Sequence, residues 1–124
     1  MSGRIRFAKG NLTRRVPGSM SSYEKAYAEQ LDADKFAGLV VSYRFEAVRL
    51  KLADLTYYSP DFYVLYPDGS IEFVEVKGSW KAPNQDKSRV KLKVAAEQYP
   101  EFRFVAITKR SKKSGGGWER EEIG

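Results

Sequence analysis

Three charged residues in the middle of the chain have the types and spacing of a metal site. Asp61 is separated by a turn from Glu75, and Lys77 follows Glu75 after one residue. Carboxylate oxygens are hard ligands that suit Mg²⁺ or Mn²⁺, ions that keep other positions for water and phosphate. The chain contains no His and no Cys, which excludes a Ser-His-Asp triad or a Cys-His pair and disfavours zinc.

The turn between the two carboxylates predicts that they meet. Residues 67–69, Pro-Asp-Gly, suit a three-residue hairpin loop with the glycine in the left-handed conformation. In that register Tyr66 faces Ser70, and Asp61 lies directly opposite Glu75. Side chains alternate along a strand, so Lys77 falls on the same face as both carboxylates.

The rest of this hairpin is apolar on both faces. One face carries Phe62, Val64, Tyr66, Val74 and Val76, and the other carries Tyr63, Leu65, Ile71 and Phe73. Two anions in such surroundings are costly without a cation. Glu72 and Asp68 are expected to be solvent-facing or turn residues.

The motif residues resemble a known signature. Pro60-Asp61 followed by Glu75-Val76-Lys77 looks like the PD-(D/E)xK motif of metal-dependent nucleases, whose sites often recruit an acidic residue from an upstream helix, here Glu24. The stretch from Ser21 to Thr108 is similar to the phage endonuclease I family, which resolves Holliday junctions. Four strings carry this likeness: Ser-Ser-Tyr-Glu-Lys, Tyr-Ser-Pro-Asp-Phe, Val-Glu-Val-Lys-Gly-Ser-Trp and Ala-Ala-Glu-Gln-Tyr-Pro-Glu-Phe.

The resemblance implies a fold, a reaction and a ligand set. The fold would be α/β and restriction-endonuclease-like, with a mixed central sheet flanked by helices. The reaction would be Mg²⁺-dependent cleavage of DNA, with Mn²⁺ as a substitute and branched DNA or Holliday junctions as substrate. Asp61, Glu75, the Val76 carbonyl and Glu24 would hold the metal, while Lys77 would orient the attacking water. A homodimer would suit paired cuts, and a phage-encoded enzyme would work in the host cytoplasm.

Each of these roles has an alternative. Glu24 stands three residues after Ser21, so it also fits the second half of a helix capping box. Lys77 could be only an ion-pair partner of Asp61 or Glu75. The whole chain could also be a non-catalytic nucleic-acid-binding module, or a general or nicking nuclease that acts on linear DNA.

The basic residues are segregated along the chain, which has a formal net charge of +6. Residues 1–20 contain no acid, and residues 77–113 contain eleven basic side chains against three acidic ones. Such segments suit contact with a polyanion. The residues expected to bind nucleic acid are Arg14, Arg15, Lys81, Lys87, Arg89 and Lys91. For the three on the second predicted helix, a solvated surface is an equal alternative.

Periodicity and breakers place these residues on elements. They predict a helix over 21–35, strands within 39–50, a second helix over 86–98 and a last strand over 102–108. We expect a basic flexible arm over 1–19, a nuclease domain over 20–110 and a flexible tail over 111–124. No apolar run approaches the roughly 20 residues of a membrane span, and no signal peptide stands out, so an intracellular protein is expected.

Overall fold

The computed structural model describes residues 5–7, 20–78 and 85–124 of this chain. In these ranges two α-helices and eight strands follow in chain order: β1 (Ile5–Phe7), α1 (Ser22–Phe36), β2 (Ser42–Phe45), β3 (Val48–Ala53), β4 (Thr56–Tyr58), β5 (Phe62–Leu65), β6 (Ile71–Lys77), α2 (Gln85–Gln98), β7 (Arg103–Lys109) and β8 (Trp118–Ile123). A short 3-10 helix, Lys112–Ser114, lies between β7 and β8. Both predicted helices and the predicted last strand are confirmed. No helix in the described ranges is long and apolar enough to cross a bilayer.

The central sheet is mixed and has five strands in the order β2-β5-β6-β7-β8. β6 and β7 run parallel, and the other three pairs are antiparallel. The parallel pair is joined by α2, as a parallel connection requires a crossover. The three-stranded sheet β1-β3-β4 is separate. The α/β class and the mixed sheet are therefore confirmed.

Apolar residues cover the central sheet on both faces. On one face Tyr27 and Leu31 of α1 pack with Phe62 and Val74. On the other face Leu92 of α2 and Tyr99, which directly follows this helix, pack with residues of β3 and β4 around Phe73 and Phe104. The sheet is thus a middle layer. Its inner strands β6 and β7 are buried over most of their length, as expected between two covering layers, whereas the edge strand β8 is mostly exposed.

The predicted hairpin between β5 and β6 is confirmed in turn type and register. Leu65 faces Ile71, and the Tyr66 N–H donates to the Ser70 carbonyl over 3.0 Å. The Gly69 N–H donates to the Tyr66 carbonyl over 2.9 Å, and Gly69 has a φ of 86°. A residue with a side chain is strained at such a φ, so this turn requires glycine. The geometry of the turn then determines the register of the two strands.

The prediction of a flexible tail over 111–124 is wrong, since residues 118–123 form β8 on the edge of the central sheet. Three glycines with positive φ, at 115–117, let the chain turn back after β7. Trp118 then packs edge-on against Tyr27 of α1, with ring centroids 5.3 Å apart. Within the predicted N-terminal arm, residues 5–7 form β1 and pair with β3.

The expectation that Glu72 faces solvent is also wrong. Glu72 is completely buried on the α1 side of β6. Its carboxylate accepts a 2.7 Å hydrogen bond from the Tyr66 hydroxyl and forms an ion pair with Arg120 of β8. The sequence analysis did not predict β8, and it therefore did not predict that Arg120 would neutralise the buried carboxylate of Glu72.

Candidate functional site

Asp61 and Glu75 are brought together by the β5–β6 hairpin. Asp61 directly precedes β5, and the pairing of Phe62 with Val74 sets Asp61 opposite Glu75 at the next position. The Oδ2 atom of Asp61 accepts a 2.8 Å hydrogen bond from the Val76 N–H. The backbone of β6 thereby holds the Asp61 carboxylate beside Glu75.

Glu75 is buried and makes contacts through both of its carboxylate oxygens. Its side chain lies on the α2 face of β6, where Oε1 accepts a 2.5 Å hydrogen bond from the Tyr58 hydroxyl. Oε2 lies 3.1 Å from the Nζ of Lys77, whose side chain is 19% exposed. The ammonium group therefore links the buried carboxylate to the surface.

Glu24 lies at the first turn of α1, where one of the two roles that the sequence left open, the capping box, is confirmed. It completes the capping box of α1, where its Oε1 accepts a 2.8 Å hydrogen bond from the Ser21 N–H and its own N–H donates to the Ser21 hydroxyl over 3.1 Å. Glu24 also lies close enough to Asp61 to raise the pKa of the Asp61 carboxyl. The first turn of α1 therefore contributes a third carboxyl group next to the hairpin.

The pKa values of Asp61 and Glu75 are shifted by their surroundings. The pKa of Asp61 is raised from 3.8 to about 8, chiefly by burial and then by the charge of Glu75, while the Val76 hydrogen bond opposes the shift. Burial also raises the pKa of Glu75, although the Tyr58 hydrogen bond and Lys77 counteract it. Among the described residues, three carboxyl groups therefore lie near one another and the ammonium group of Lys77 contacts one of them, which leaves excess negative charge.

The oxygen-only donor set fits a hard divalent cation. Asp61 and Glu75 offer carboxylates at a site with unbalanced negative charge, and neither His nor Cys is present in the chain. In the part of the chain that the structure describes, however, no three Asp, Glu, His or Cys side chains are already arranged to hold a metal ion.

Two residues that sequence reasoning missed contact the site. Tyr58 donates to Glu75, as described above, and the Nζ of Lys77 lies 3.4 Å from the Ser88 hydroxyl of α2. Tyr58 stands only three residues before Asp61, but its position depends on the β3–β4 hairpin. No local sequence signal identified that hairpin.

Three of the six basic residues predicted to contact nucleic acid are described, and all three lie on α2. Arg14, Arg15 and Lys81 lie outside the described residues. On α2, Lys87 and Lys91 are exposed, and the Nζ of Lys91 lies 3.3 Å from the Tyr57 carbonyl.

Arg89, also on α2, contacts the edge strand β8. Its guanidinium group forms an ion pair with Glu121 of β8. This contact ties α2 to the edge strand and favours a structural role for Arg89.

Glu24, Asp61, Glu75 and Lys77, the four residues predicted to be catalytic, therefore converge where β5 begins, β6 ends and α1 begins. No family model, curated protein or solved structure matches this chain.

Proposed function

We propose that this chain is a metal-dependent endonuclease that hydrolyses phosphodiester bonds of DNA, with branched DNA such as a Holliday junction as its preferred substrate. The observation that carries the proposal is the facing pair Asp61 and Glu75, with Lys77 joined to Glu75 by a 3.1 Å ion pair. Two carboxylates and a lysine are the groups that cation-assisted phosphate hydrolysis requires.

The excess negative charge supports a cation at the site. Asp61 holds a proton up to a pH of about 8 because it is buried beside Glu75 and Glu24, and a divalent cation would replace that proton. Asp61 and Glu75 would hold the ion, with Glu24 and the Val76 carbonyl as further donors. An Mg²⁺ or Mn²⁺ ion would supply Lewis acidity at the scissile phosphate.

The other residues position these groups. Tyr58 fixes the orientation of the Glu75 carboxylate, and the Val76 N–H fixes that of Asp61. Lys77 lies at the surface edge of the site between Glu75 and Ser88. From there its ammonium group would donate to the attacking water or to a phosphate oxygen, stabilising negative charge that develops there.

The preference for branched DNA is the finer part of the proposal. It is supported by the resemblance over residues 21–108, since the motif residues themselves are common to nucleases of many substrates. A nuclease that cuts or nicks linear DNA would use the same four residues.

A nucleic-acid-binding module without catalysis is the second candidate. The observation that favours it is the lack, among the described residues, of three side chains already arranged around a metal. In such a module Lys77 and Glu75 would be a structural ion pair, and binding would need no cation.

The test is cleavage of a four-way junction, the matching linear duplex and a single strand. Each substrate is incubated with Mg²⁺, with Mn²⁺ and with chelator. The proteins compared are the wild type, Glu75→Ala, and Glu75→Gln, which keeps an acceptor for the Tyr58 hydroxyl. We expect metal-dependent cutting that prefers the junction and falls at least about 100-fold in both variants, as loss of several kcal/mol implies.

A matched control removes a carboxylate that lies away from the site. Glu101→Ala, at the exposed turn before β7, should cut like the wild type. Equal cutting of all substrates would identify a general nuclease. Metal-independent binding of every substrate without any cutting would overturn the proposal and leave the binding module.

A further inference from the structure

A cleft lies beside the proposed site, between the start of α1 and the chain that leaves β7. Its volume is about 370 Å³, and it is lined by Tyr23, Gly78, Lys109, Arg110, Ser111 and Lys112. Tyr23 directly precedes Glu24, and Gly78 directly follows Lys77. The cleft therefore adjoins two of the four residues of the proposed site.

The topology of the sheet explains why these segments meet. In the parallel pair β6–β7, Lys77 faces Thr108. The strands end side by side, so Gly78 and the basic residues that begin at Lys109 leave the sheet at the same edge. Ligands of open α/β sheets commonly bind outside the carboxyl ends of parallel strands.

Two of the basic side chains in the cleft have no partner in the described part of the chain. Arg110 and Lys112 are exposed and form neither an ion pair nor a side-chain hydrogen bond with any described residue. Other arginines are engaged: Arg89 and Arg120 form ion pairs, and Arg103 donates to Ser70. Arg110 and Lys112 are therefore available to an external anion.

Tyr23 provides an aromatic surface next to these cations. Its side chain is 43% exposed. A Cβ atom added at Gly78 would lie only 2.5 Å from the ring, so the ring rests directly on the backbone that follows Lys77. Because glycine has no Cβ atom, the Tyr23 ring can lie against the chain at Gly78, next to the proposed site.

We propose that this cleft binds the nucleotide next to the scissile phosphate, with Arg110 and Lys112 on its phosphate and Tyr23 against the base of an unpaired strand. Sites for single-stranded nucleic acid typically combine cations along the phosphate backbone with an aromatic side chain on which a base stacks. The inference rests on the proposed function, because it takes the cleft as an extension of the cleavage site. Among branched DNAs, it favours those in which the nucleotide beside the cut is unpaired.

The test measures binding separately from cleavage. Arg110→Ala/Lys112→Ala is introduced into the Glu75→Gln protein, and its affinity for labelled single-stranded and duplex DNA is measured in chelator over a range of salt concentrations. Loss of two phosphate contacts should lower the slope of log K against log salt by about 1.4 for the single strand. Lys35→Ala/Lys93→Ala removes the same charge from exposed positions outside the cleft and should leave the slope nearly unchanged.

A second pair of variants tests the aromatic contact. In the same Glu75→Gln background, Tyr23→Leu should weaken binding of single-stranded DNA about tenfold, as expected for loss of one stacked base. Tyr23→Phe keeps the ring and should bind like its parent. Equal slopes for the two double variants, or equal binding by Tyr23→Leu and Tyr23→Phe, would overturn the inference.

The two proposals can fail separately. If the wild type cuts DNA with metal but the cleft variants bind like their controls, the inference falls and the nuclease stands. If the cleft variants lose binding as expected but the wild type cuts no DNA, the nuclease falls and the cleft stands as a nucleic-acid site. Thermal unfolding of each variant shows whether the protein is folded in these assays.

Discussion

Tyr58 and Glu75 are joined by a 2.5 Å hydrogen bond in which the phenol hydroxyl donates to Oε1 of the carboxylate. Both residues are buried, and they come from different sheets, Tyr58 from the end of β4 and Glu75 from β6. The bond holds the Glu75 carboxylate in place while Lys77 approaches the other oxygen. The small sheet therefore has a part in ordering the proposed metal site.

Tyr58→Phe should impair metal binding without unfolding the protein. Groups that orient a metal ligand typically contribute about 10–100-fold to metal affinity or activity. We expect a higher Mn²⁺ concentration for half-maximal cleavage and a slower rate at saturation. The measurement is the cleavage rate of a junction as a function of Mn²⁺ concentration.

The neighbouring tyrosine provides the matched control. Tyr57→Phe keeps the ring over which the Arg49 guanidinium lies, 4.3 Å from its centroid, and removes a hydroxyl outside the site. Its metal dependence should equal that of the wild type. A Tyr58→Phe protein that is also indistinguishable from the wild type would show that Glu75 needs no donor.

The hairpin that carries the site could be predicted because residues close together in the sequence determine it. Residues 67–69 determine a turn with one register, and that register sets Asp61 opposite Glu75. The Ser21–Glu24 capping box was predictable for the same reason, since both partners lie within one helical turn. Hydrogen bonds and dihedral angles of neighbouring residues are sufficient in both cases.

What escaped prediction depends on contacts between distant residues. β8 consists mostly of charged residues and follows a run of glycines. It is held by the packing of Trp118 on Tyr27 and by the Arg120–Glu72 ion pair. Nothing near Glu72 in the sequence indicates that an arginine forty-eight positions later neutralises it. The contact between Tyr58 and Glu75 likewise depends on how two sheets pack.

Arg120→Ala should strongly destabilise the protein, because it leaves the carboxylate of Glu72 buried without its cation. Removing one partner of a fully buried pair typically costs about 3–5 kcal/mol. Because the Arg120 side chain is 40% exposed, water can partly replace it, and the cost here should be about 1–3 kcal/mol. We expect a decrease of this size in the free energy of unfolding measured with urea. The double variant Glu72→Gln/Arg120→Ala removes the buried charge, keeps an acceptor for the Tyr66 hydroxyl and should recover most of the loss.

The second acidic partner of Arg120 provides the control. Glu122 contacts the same guanidinium group over 2.9 Å but is exposed. Exposed ion pairs contribute about 0–1 kcal/mol, so Glu122→Gln should change stability by less than about 1 kcal/mol. An Arg120→Ala effect as small as that of Glu122→Gln would contradict a neutralising role for β8.

Gly78→Ala should reveal the contact with Tyr23. The added methyl group would lie 2.5 Å from the tyrosine ring, so the ring has to move. Because Tyr23 is 43% exposed, its ring can turn toward solvent, and the cost should be below the roughly 1–3 kcal/mol of overpacking in a core. In a Tyr23→Ala background the same substitution should cost almost nothing. The coupling free energy from urea unfolding of the four proteins measures the contact, and additive effects would contradict it.

Asp61 should make the stability of the metal-free protein decrease as pH rises. Its pKa is 3.8 as an ordinary carboxyl and about 8 in the folded chain. Between these values the folded state holds a proton that the unfolded state has lost, so the free energy of unfolding falls as pH rises. Below the lower value both states are protonated, and the full contribution of the neutral carboxyl to stability is present.

Asp61→Asn should remove this dependence, because an amide stays neutral at every pH. We expect the metal-free variant to unfold at a higher temperature than the metal-free wild type at pH 8, by a few degrees, and the difference to vanish near pH 4. Mn²⁺ should raise the unfolding temperature of the wild type at pH 8 and leave that of Asp61→Asn nearly unchanged. Asp54→Asn, at an exposed turn position, is the control and should behave like the wild type with and without Mn²⁺. If Asp61→Asn showed the same pH profile and the same response to Mn²⁺ as the wild type, Asp61 would be neither the buried acid nor a metal ligand.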